Sequence, residues 1–538
     1  MRNRQRSFWG WGYADEELSA RFLERFKGLI QMALALPELD NIEPPKLEDL
    51  QLRAPRFQLS PSLETFCTDE IFDRASHSYG KSYRDVVRGL YGHFENPPDF
   101  VAYPRTEDEI RRLMDFCSSE NVALVPFGGG SSVVGGVEPT ESTHFNGVIS
   151  CDMRHFDQIL DVDPFERTAQ IQGGIFGPAL EAGLKAHGLT LRHFPQSFEF
   201  STLGGWIATR SGGHFATVYT HIDEFVQSIR MVTPEGIWQT RPLPGSGAGP
   251  DPNRFLMGSE GIFGIITEAT VRLQNVPSFR ASTTVAFADA DAGIEAVRRL
   301  SQSGLFPTNC RLISPIEAFT MGLGNGNDTV LLLGFESHDH DQTAKLDRAL
   351  EICTEQGGRS NDDDKSSDSS ETATSQSAAD RWKKNFLRAP YLRDQLVRSG
   401  LIVETFETAV PWGRFENFHK NVLEETQRAV ETHCERGIVT WRFTHVYPDG
   451  PAPYYTVMAP GRRGEELAQW DAIKKAASDA ILRNGGTITH HHAVGKDHCA
   501  GYEEQRDPLF GQVLKQAKES LDPQGILNPD VLISREND

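Results

Sequence analysis

A glycine run at the end of an apolar segment constrains the fold of this 538-residue chain more than any other feature. Val122–Val125 predicts a buried strand, and the strand leads through Pro126 and Phe127 into three glycines and two serines, Gly128 to Ser132. Consecutive glycines adopt positive φ and present bare N–H groups to an anion. The run therefore predicts a phosphate-binding loop, with a mobile turn as the alternative. It has neither the Gly-Lys-Ser/Thr of a Walker loop nor the G-x-G-x-x-G spacing of a Rossmann turn, which argues against ATP hydrolysis and a Rossmann-type NAD site.

Two further turns rich in glycine follow in the same part of the chain. One runs from His193 to Gly213 and is dense in Gly, Ser and Thr, and the other runs from Phe255 to Ala269. Strand-like apolar segments lie beside each of them. Three such turns fit one long cofactor that is contacted at several points, and three ordinary turns are the alternative.

Composition limits the classes of partner. Lys and Arg number 54 against 75 Asp and Glu, a formal charge of -21, which disfavours general affinity for nucleic acid. No apolar run approaches the roughly 20 residues of a spanning helix, and the start of the chain is unlike a signal peptide, so a cytoplasmic protein is expected. The seven cysteines are scattered and predict neither a disulfide framework nor a zinc site.

Periodicity and composition suggest four parts. Apolar residues four apart from Leu18 to Leu34 predict an amphipathic helix, and Leu36–Pro61 is a proline-rich linker. Strands alternate with helices after residue 276, which is typical of an α+β cap. The expected parts are an N-terminal helical extension (1–95), a cofactor domain (96–275), a cap (276–488) with a disordered or lid-like insertion at 361–379, and a C-terminal segment returning to the active site and cofactor domain (489–538).

Three adjacent histidines, His490, His491 and His492, are the most unusual chemical feature. In a strand only His490 and His492 would share a face, and no carboxylate or cysteine partner is evident, so no metal is expected. Proton transfer or phosphate contact is the preferred role, with a structural polar cluster as the alternative. Arg393 is a surface cation or an anion clamp, whereas Arg311 in an apolar setting is expected to have a partner.

Five motifs together resemble a known family. They are Trp-Gly-Trp-Gly-Tyr (9–13), Phe-Ser-Thr-Leu-Gly-Gly-Trp (200–206), Tyr-Leu-Arg-Asp (391–394), Glu-Thr-Phe-Glu-Thr (404–408) and His-His-His-x-Val-Gly-Lys (490–496). In this order they resemble the alkyldihydroxyacetonephosphate synthase family, which is part of the vanillyl-alcohol-oxidase (PCMH-type) flavoproteins, over essentially the whole chain. The resemblance implies an α+β fold: a PCMH-type FAD-binding domain of two subdomains, an α+β cap and the N-terminal helical extension.

The resemblance also implies roles for individual residues. Tyr454 is expected to transfer a proton, with His490, His491, His492 and Arg311 as further catalytic residues and Arg393 and His193 as substrate contacts. No histidine adjoins the glycine run where related oxidases attach their flavin, so FAD is expected to be noncovalent. The implied FAD contacts are Pro126, Phe127, Gly128, Gly129, Gly130, Ser131, Ser132, Gln196, Ser197, Phe198, Glu199, Phe200, Ser201, Thr202, Thr209, Arg210, Ser211, Gly212, Glu260, Gly261, Ile262, Phe263, Gly264, Ile265 and Ile266.

The implied reaction exchanges the fatty acid of acyl-dihydroxyacetone phosphate for a long-chain alcohol without net redox chemistry. A homodimer and peripheral membrane contact are expected for such a lipid enzyme, although no basic amphipathic helix is evident. Gln196 and Ala493 depart from the family, which usually has aspartate and glycine there. Two alternatives stay open: an FAD-dependent dehydrogenase of a 2-hydroxy acid or similar alcohol, in which Glu-His-Gly usually replaces the histidine triplet, and a flavin-binding protein that has lost activity.

Overall fold

The computed structural model describes residues 4–16, 18–36, 41–360, 366–368 and 378–535. The predicted N-terminal helix is confirmed as α1 (Ala20–Leu34), with Ser19 accepting a hydrogen bond from the Phe22 N–H at its start. Ile30 and Leu34 pack in one apolar cluster with Leu396 and Leu401 of the cap. The extension is therefore anchored on the body of the protein.

The first sheet carries the glycine run. Its strands are β1 (Cys67–Thr68), β2 (Phe100–Ala102), β3 (Val122–Phe127) and β4 (Gly147–Asp152), in the order β1-β2-β4-β3, with helices α2 (Ile71–Ser76), α3 (Tyr83–Leu90) and α4 (Glu107–Glu120). β3 and β4 are parallel and pair without a register shift from Val122 to Phe127. The glycines begin where β3 ends, as the sequence predicts.

The second sheet is antiparallel and carries the other two glycine-rich turns. Its strands are β5 (Ile159–Asp163), β6 (Thr168–Gln172), β8 (Val226–Thr233), β9 (Gly236–Gln239) and β10 (Ile265–Arg272), in the order β5-β6-β10-β8-β9. β7 (Leu189–Thr190) and β11 (Gln274–Asn275) form a separate ribbon, and the helices are α5 (Gly177–Lys185), α6 (Leu203–Thr209) and α7 (Pro252–Leu256). The N-terminus of α6 and the start of β10 both face the glycine run.

The third sheet forms the cap. Its strands are β12 (Phe279–Phe287), β13 (Asn309–Ile313), β14 (Thr329–Ser337), β15 (Arg359–Ser360), β16 (Ser366–Asp368), β17 (Leu401–Glu407), β18 (Ile438–Val446) and β19 (Pro451–Pro460). The order is β15-β12-β14-β13-β18-β19-β17, and β16 also pairs with β12. The remaining helices are α8 (Ala290–Gln302), α9 (Pro315–Thr320), α10 (Thr343–Glu355), α11 (Ala378–Arg398), α12 (Trp412–Cys434), α13 (Glu466–Arg483), α14 (Cys499–Gln505) and α15 (Pro508–Leu521).

The two faces of the cap sheet have different environments. Helices α8, α10, α12 and α13 bury one face in the largest apolar core, which includes Phe443 and Tyr455. Trp382 of α11 packs against Ile313 and Leu332 on the other face. That second face is the one that carries polar and charged side chains.

These elements confirm the predicted α+β class. Leu527, near the chain end, forms a parallel bridge with Leu124 of β3, so the C-terminal segment does return to the first sheet. Most of the predicted insertion at 361–379 lies outside the described residues; within it, Ser366–Asp368 is a strand and α11 begins at Ala378. Among the described helices, none combines the length and apolar character that crossing a membrane requires.

Candidate active site

The three glycine-rich turns line a single cleft between the first two sheets. The cleft contains about 670 Å³ of space free of protein atoms, counting the part that is open to solvent. The sequence-predicted cofactor residues that line it are Pro126, Phe127, Gly128, Ser132, Thr202, Thr209, Glu260, Gly261, Gly264, Ile265 and Ile266. Gly136, Val137, Met153, Gly173, Gly204, Gly205 and Ala208 line it as well and were missed. One elongated ligand that contacts all three turns fits this arrangement.

The other predicted cofactor residues contact protein instead of lining this cleft. Ser197 and Ser201 are hydrogen-bonded to each other, Arg210 pairs with Asp223, and Ile262 and Phe263 are core residues. Phe200 packs edge-on against Trp11 and Tyr13 of the N-terminal motif. The remaining ones are Gly129, Gly130, Ser131, Gln196, Phe198, Glu199, Ser211 and Gly212. Their predicted FAD contacts stay predictions.

Close packing between the turns explains why the run is glycine. A Cβ atom on Gly128 would lie 2.5 Å from Thr202 Oγ1, and one on Gly129 would lie 1.8 Å from the Phe200 carbonyl oxygen. Gly261 has φ +82°, and a Cβ there would lie 2.8 Å from Pro126 Cγ. The turns therefore pack too closely for side chains at these positions. The bare backbone that results suits contact with a pyrophosphate.

Replacing Gly129 with alanine should abolish cofactor retention. The new methyl group collides with backbone at Phe200, so the turn at 198–202 has to move, and overpacking of this kind costs at least about 1–3 kcal/mol. Flavin absorbance that co-elutes with the protein on gel filtration measures the effect. Gly245→Ala is the control, because a Cβ there would meet no other described residue within 4 Å. Normal flavin retention by Gly129→Ala would contradict the packing argument.

Strand register places Tyr454, Arg442 and Glu407 side by side on one face of the cap sheet. This face lies opposite α8, α10, α12 and α13, and we call it the open face. Tyr454 of β19 pairs with Glu407 of β17 on one side and with Arg442 of β18 on the other. Paired residues of neighbouring strands project from the same face. The Arg442 guanidinium lies 3.9 Å from the centre of the Tyr454 ring. Burial raises the pKa of the Tyr454 phenol, and Arg442 opposes that rise.

Tyr454 and Tyr455 lie on opposite faces of the cap sheet, as the sequence predicts for neighbours in a strand. Tyr455 lies in the core on the helical face, where its hydroxyl is 2.9 Å from His419 Nδ1. Tyr454 lies on the open face beside the rings of His491 and His492. The two neighbouring phenols therefore have separate environments.

A β-bulge adds a histidine to the open face. The pairing of β18 with β19 shifts between Phe443 and His445, so His445 pairs with Ala452 and projects on the same side as Arg442. His445 is 2% exposed, and its Nε2 donates a 3.0 Å hydrogen bond to the Gly213 carbonyl. His445 was not among the predicted site residues, because a bulge cannot be read from alternation of side chains.

Arg311 supplies a buried cation with unused hydrogen-bonding capacity. It lies in β13, two residues before Ile313, which pairs with Arg442, so both arginines project from the open face. One terminal nitrogen donates to the His214 carbonyl, whereas Nε and Nη1 have no partner among the described residues. Burial, with Arg442 nearby, lowers the Arg311 pKa to about 9. The expected partner is thus not a protein carboxylate, which leaves Arg311 able to bind an anionic ligand.

A carboxylate holds the three histidines over this face. Glu407, 2% exposed, accepts hydrogen bonds from the N–H groups of His490, His491 and His492 at 2.5, 3.2 and 2.8 Å and from the Thr489 hydroxyl at 2.7 Å. The triplet does not lie in a strand, in which successive N–H groups would point in opposite directions. His490 and His491 instead approach each other, with 3.0 Å between their Nδ1 atoms.

The histidine group adjoins the cleft through Glu260, which lines the cleft and accepts hydrogen bonds from the N–H groups of Val494 and Gly495 just after the triplet. Gly212 lies against His491, since a Cβ there would be 3.0 Å from His491 Cβ. His193, the predicted substrate contact, is buried with Nε2 2.9 Å from Ser211 Oγ, and burial lowers its pKa to about 3. Burial also lowers the pKa of His491 and of His492 to about 4. All of these rings are therefore neutral near pH 7 and can accept protons.

Both departures from the family pattern have a structural account. The Gln196 amide donates a 3.1 Å hydrogen bond to the Phe386 carbonyl of α11, which an aspartate at this position could not do. Ala493 has φ +76°, a left-handed conformation that favours glycine. The strained turn is held by Glu260, whose carboxylate accepts 2.8 Å hydrogen bonds from the N–H groups of Val494 and Gly495.

Changing Ala493 to glycine should therefore stabilise the protein. Relief of the left-handed strain, about 1–2 kcal/mol, exceeds the added entropy of glycine in the unfolded chain, about 0.4–1 kcal/mol. Guanidinium unfolding of the apoprotein should show a free energy of unfolding higher by about 0.5 kcal/mol. Gly495→Ala is the opposite control, because its Cβ would lie 2.1 Å from the Val134 carbonyl oxygen; a less stable Ala493→Gly would contradict the strain argument.

Arg393 is not brought to this group. It projects from α11, donates to Asp394 at 2.8 Å and contacts the Lys81 carbonyl. Within the described residues, no hydrogen bond or ion pair joins Arg393 to Tyr454 or to the histidines. The structure thus brings together Tyr454, Arg311 and the histidine triplet, and it buries His193 against Trp206 and Phe225. It leaves Arg393 near the N-terminal motif, where the Trp11 backbone N–H donates to Asp394.

Comparison with known proteins identifies the family. Residues 98–240 match the FAD binding domain family model, and residues 276–532 match that of the FAD linked oxidases, C-terminal domain. Alkyldihydroxyacetonephosphate synthase of Dictyostelium discoideum is 31% identical over 560 aligned residues, covering 96% of this chain and 89% of that protein. This chain belongs to the alkyldihydroxyacetonephosphate synthase family.

Structural comparison agrees with this family. A solved structure of alkyldihydroxyacetonephosphate synthase superimposes with a TM-score of 0.81 and 26% identity, covering 97% of this chain and 98% of that one. The glycolate oxidase subunit GlcD of Bacillus subtilis is 26% identical, covering 82% of this chain and 90% of that protein. The PCMH-type FAD-binding fold that the motif resemblance implies is confirmed by these matches.

Proposed function

We propose that this chain is an FAD-dependent alkyl transferase that exchanges the acyl group of acyl-dihydroxyacetone phosphate for a long-chain alcohol. The products are alkyl-dihydroxyacetone phosphate and a fatty acid, with no net redox change. The observation that carries the proposal is the open face of the cap sheet: a phenol, a cation with two unpaired nitrogens and neutral imidazoles gathered beside the cofactor cleft. The family match over 96% of the chain supports the same reaction.

The glycine-lined cleft is the FAD site in this proposal. The residues that line the cleft would hold FAD there, and the bound flavin would supply a nucleophilic ring system for substitution at the carbon that bears the ester. The residues lining the cleft include no histidine, cysteine or tyrosine among the described part of the chain, which supports noncovalent binding. Both ring nitrogens of the nearby His77 are hydrogen-bonded to protein.

The side chains of the open face have two roles in the reaction, proton transfer and anion binding. Tyr454 passes its phenolic proton to a neutral histidine as it removes a proton from the carbon that bears the ester, and both transfers are reversed later. Arg311 binds an anionic oxygen of the substrate through its unpaired nitrogens, which stabilises charge on the departing carboxylate or on the phosphate. The buried setting excludes water, so the alcohol competes well for the carbon centre.

An alcohol-incorporation assay separates this function from its rival. Purified, flavin-containing protein receives palmitoyl dihydroxyacetone phosphate and labelled hexadecanol without an electron acceptor, and the label should appear in the ether product. The rival, oxidation of a 2-hydroxy acid, is favoured by the likeness to the glycolate oxidase subunit. It predicts no labelled ether and reduction of a dye by glycolate or lactate, an outcome that would refute the transferase.

Several expectations stay predictions. They are the domain boundaries at residues 95, 275 and 488, the substrate contacts of Arg393 and His193, a homodimer, peripheral membrane contact and a cytoplasmic location. Arg311 is the anion partner that the contacts favour, since its free nitrogens adjoin the reacting face whereas Arg393 already pairs with Asp394.

A further inference from the structure

The open face brings His445 beside two histidines of the triplet. One ring nitrogen from each of His445, His490 and His491 lies within 4.8 Å of those of the other two. Their ring centres are 5.1 to 5.5 Å apart. Two of the three belong to the triplet, and the third comes from the bulge in β18. Such convergence of imidazoles is the usual arrangement of a three-histidine metal site.

The hydrogen bonds leave one ring nitrogen of each histidine directed at the group. His445 donates from Nε2 to the Gly213 carbonyl, so its lone pair is on Nδ1, and that buried atom has no partner among the described residues. His490 Nε2 lies 2.8 Å from the Tyr447 hydroxyl, which leaves its Nδ1 to face His491 Nδ1. Metal-binding histidines typically anchor the second ring nitrogen on a carbonyl, hydroxyl or carboxylate in this way.

We propose that His445, His490 and His491 form a binding site for one divalent transition-metal ion of the zinc class, and that occupancy inhibits alkyl transfer. An ion about 2.1 Å from each nitrogen needs the nitrogens about 3.4 Å apart, close to the His490–His491 spacing, and ring rotation brings His445 in. A set of imidazoles selects Zn²⁺, Co²⁺, Ni²⁺ or Cu²⁺ over the oxygen-seeking Mg²⁺ and Ca²⁺. Inhibition, which rests on the proposed function, follows because bound histidines cannot hold a proton.

Equilibrium dialysis of the untagged, flavin-containing protein against Zn²⁺ tests binding. One equivalent of zinc per chain is expected, with no uptake of Mg²⁺. His445→Ala should weaken zinc binding by at least about tenfold, as expected for loss of one of three ligands. His187→Ala, which removes an exposed histidine, is the matched control and should bind like the unchanged protein. Equal affinity in His445→Ala and His187→Ala would overturn the site.

X-ray absorption of zinc in the unchanged protein keeps the test independent of any variant's folding. Three imidazole nitrogens at about 2.0–2.1 Å are expected, and one or none would overturn the proposal. Ether formation measured during the same titration should fall in proportion to occupancy; full turnover at full occupancy would overturn the inhibition. Zinc bound by three imidazoles in a protein that makes no ether without metal would instead refute the transferase and leave the metal site standing.

Discussion

Replacing Tyr454 with phenylalanine should reduce ether formation by about a thousandfold while the flavin spectrum stays unchanged. Loss of a positioned acid–base group typically costs between about a hundredfold and ten-thousandfold in rate. The phenol lies between Arg442 and Glu407 and beside the imidazoles, so its hydroxyl is the group able to pass a proton to them. The ring itself stays, which keeps the packing against Arg442.

The adjacent tyrosine supplies the matched control. Tyr455→Phe removes a hydroxyl of the same kind one residue away, but on the helical face, where it bonds to His419. It should cost about 1 kcal/mol of stability and leave turnover within a few-fold of normal. Incorporation of labelled hexadecanol measures both variants. Substantial turnover by Tyr454→Phe, or equal losses in the two variants, would remove Tyr454 from the mechanism.

The cofactor cleft could be predicted from sequence because its signals are local. An apolar strand followed by Gly128–Gly130 specifies both the strand end and the bare backbone, and the structure confirms the two together. The glycines at 204, 205 and 261 carry the same local signal. Phe200 shows the limit of prediction from local motifs. It belongs to the motif at 200–206, yet it packs against Trp11 instead of lining the cleft.

The residues of the open face could be predicted only in part, because which residues meet there depends on the register between strands. Alternation within one strand separates Tyr454 from Tyr455, which the sequence predicts. Arg442 and Glu407 join Tyr454 only through pairing between strands that are distant in sequence, and His445 joins through a bulge. Those relations are set by tertiary packing, so residue patterns within a single segment do not contain them.

The histidine triplet shows where a local rule gives the wrong geometry. Strand alternation predicts that His490 and His492 share a face, but one carboxylate collects the N–H groups of all three residues. Three consecutive N–H groups converge only when the backbone curls into a nest. The acceptor, Glu407, is more than 80 residues away in sequence, so residues 489–492 alone do not predict this backbone conformation.

Glu407→Ala should both destabilise the protein and disable it. The change leaves three backbone N–H groups and the Thr489 hydroxyl without their buried acceptor, and loss of such a charged partner costs about 3–5 kcal/mol. The freed histidine loop would move relative to Tyr454, and a displacement of about 1 Å costs about a hundredfold in rate. Glu407→Gln keeps the volume but turns amide hydrogens toward N–H donors, so it should lose rate with less loss of stability.

Glu404 on the same strand distinguishes a positioning role from a merely structural one. Its carboxylate is equally buried but faces the helices, where it pairs with Lys474 at 2.9 Å and accepts from Trp470 at 2.6 Å. Glu404→Gln should lower the midpoint of guanidinium unfolding, because Lys474 loses its charged partner, yet the folded, flavin-containing fraction should make ether at a near-normal rate. Glu407→Gln should show the reverse balance. If rate per folded enzyme falls equally in both variants, or in neither, then Glu407 does not act by holding the histidines in place.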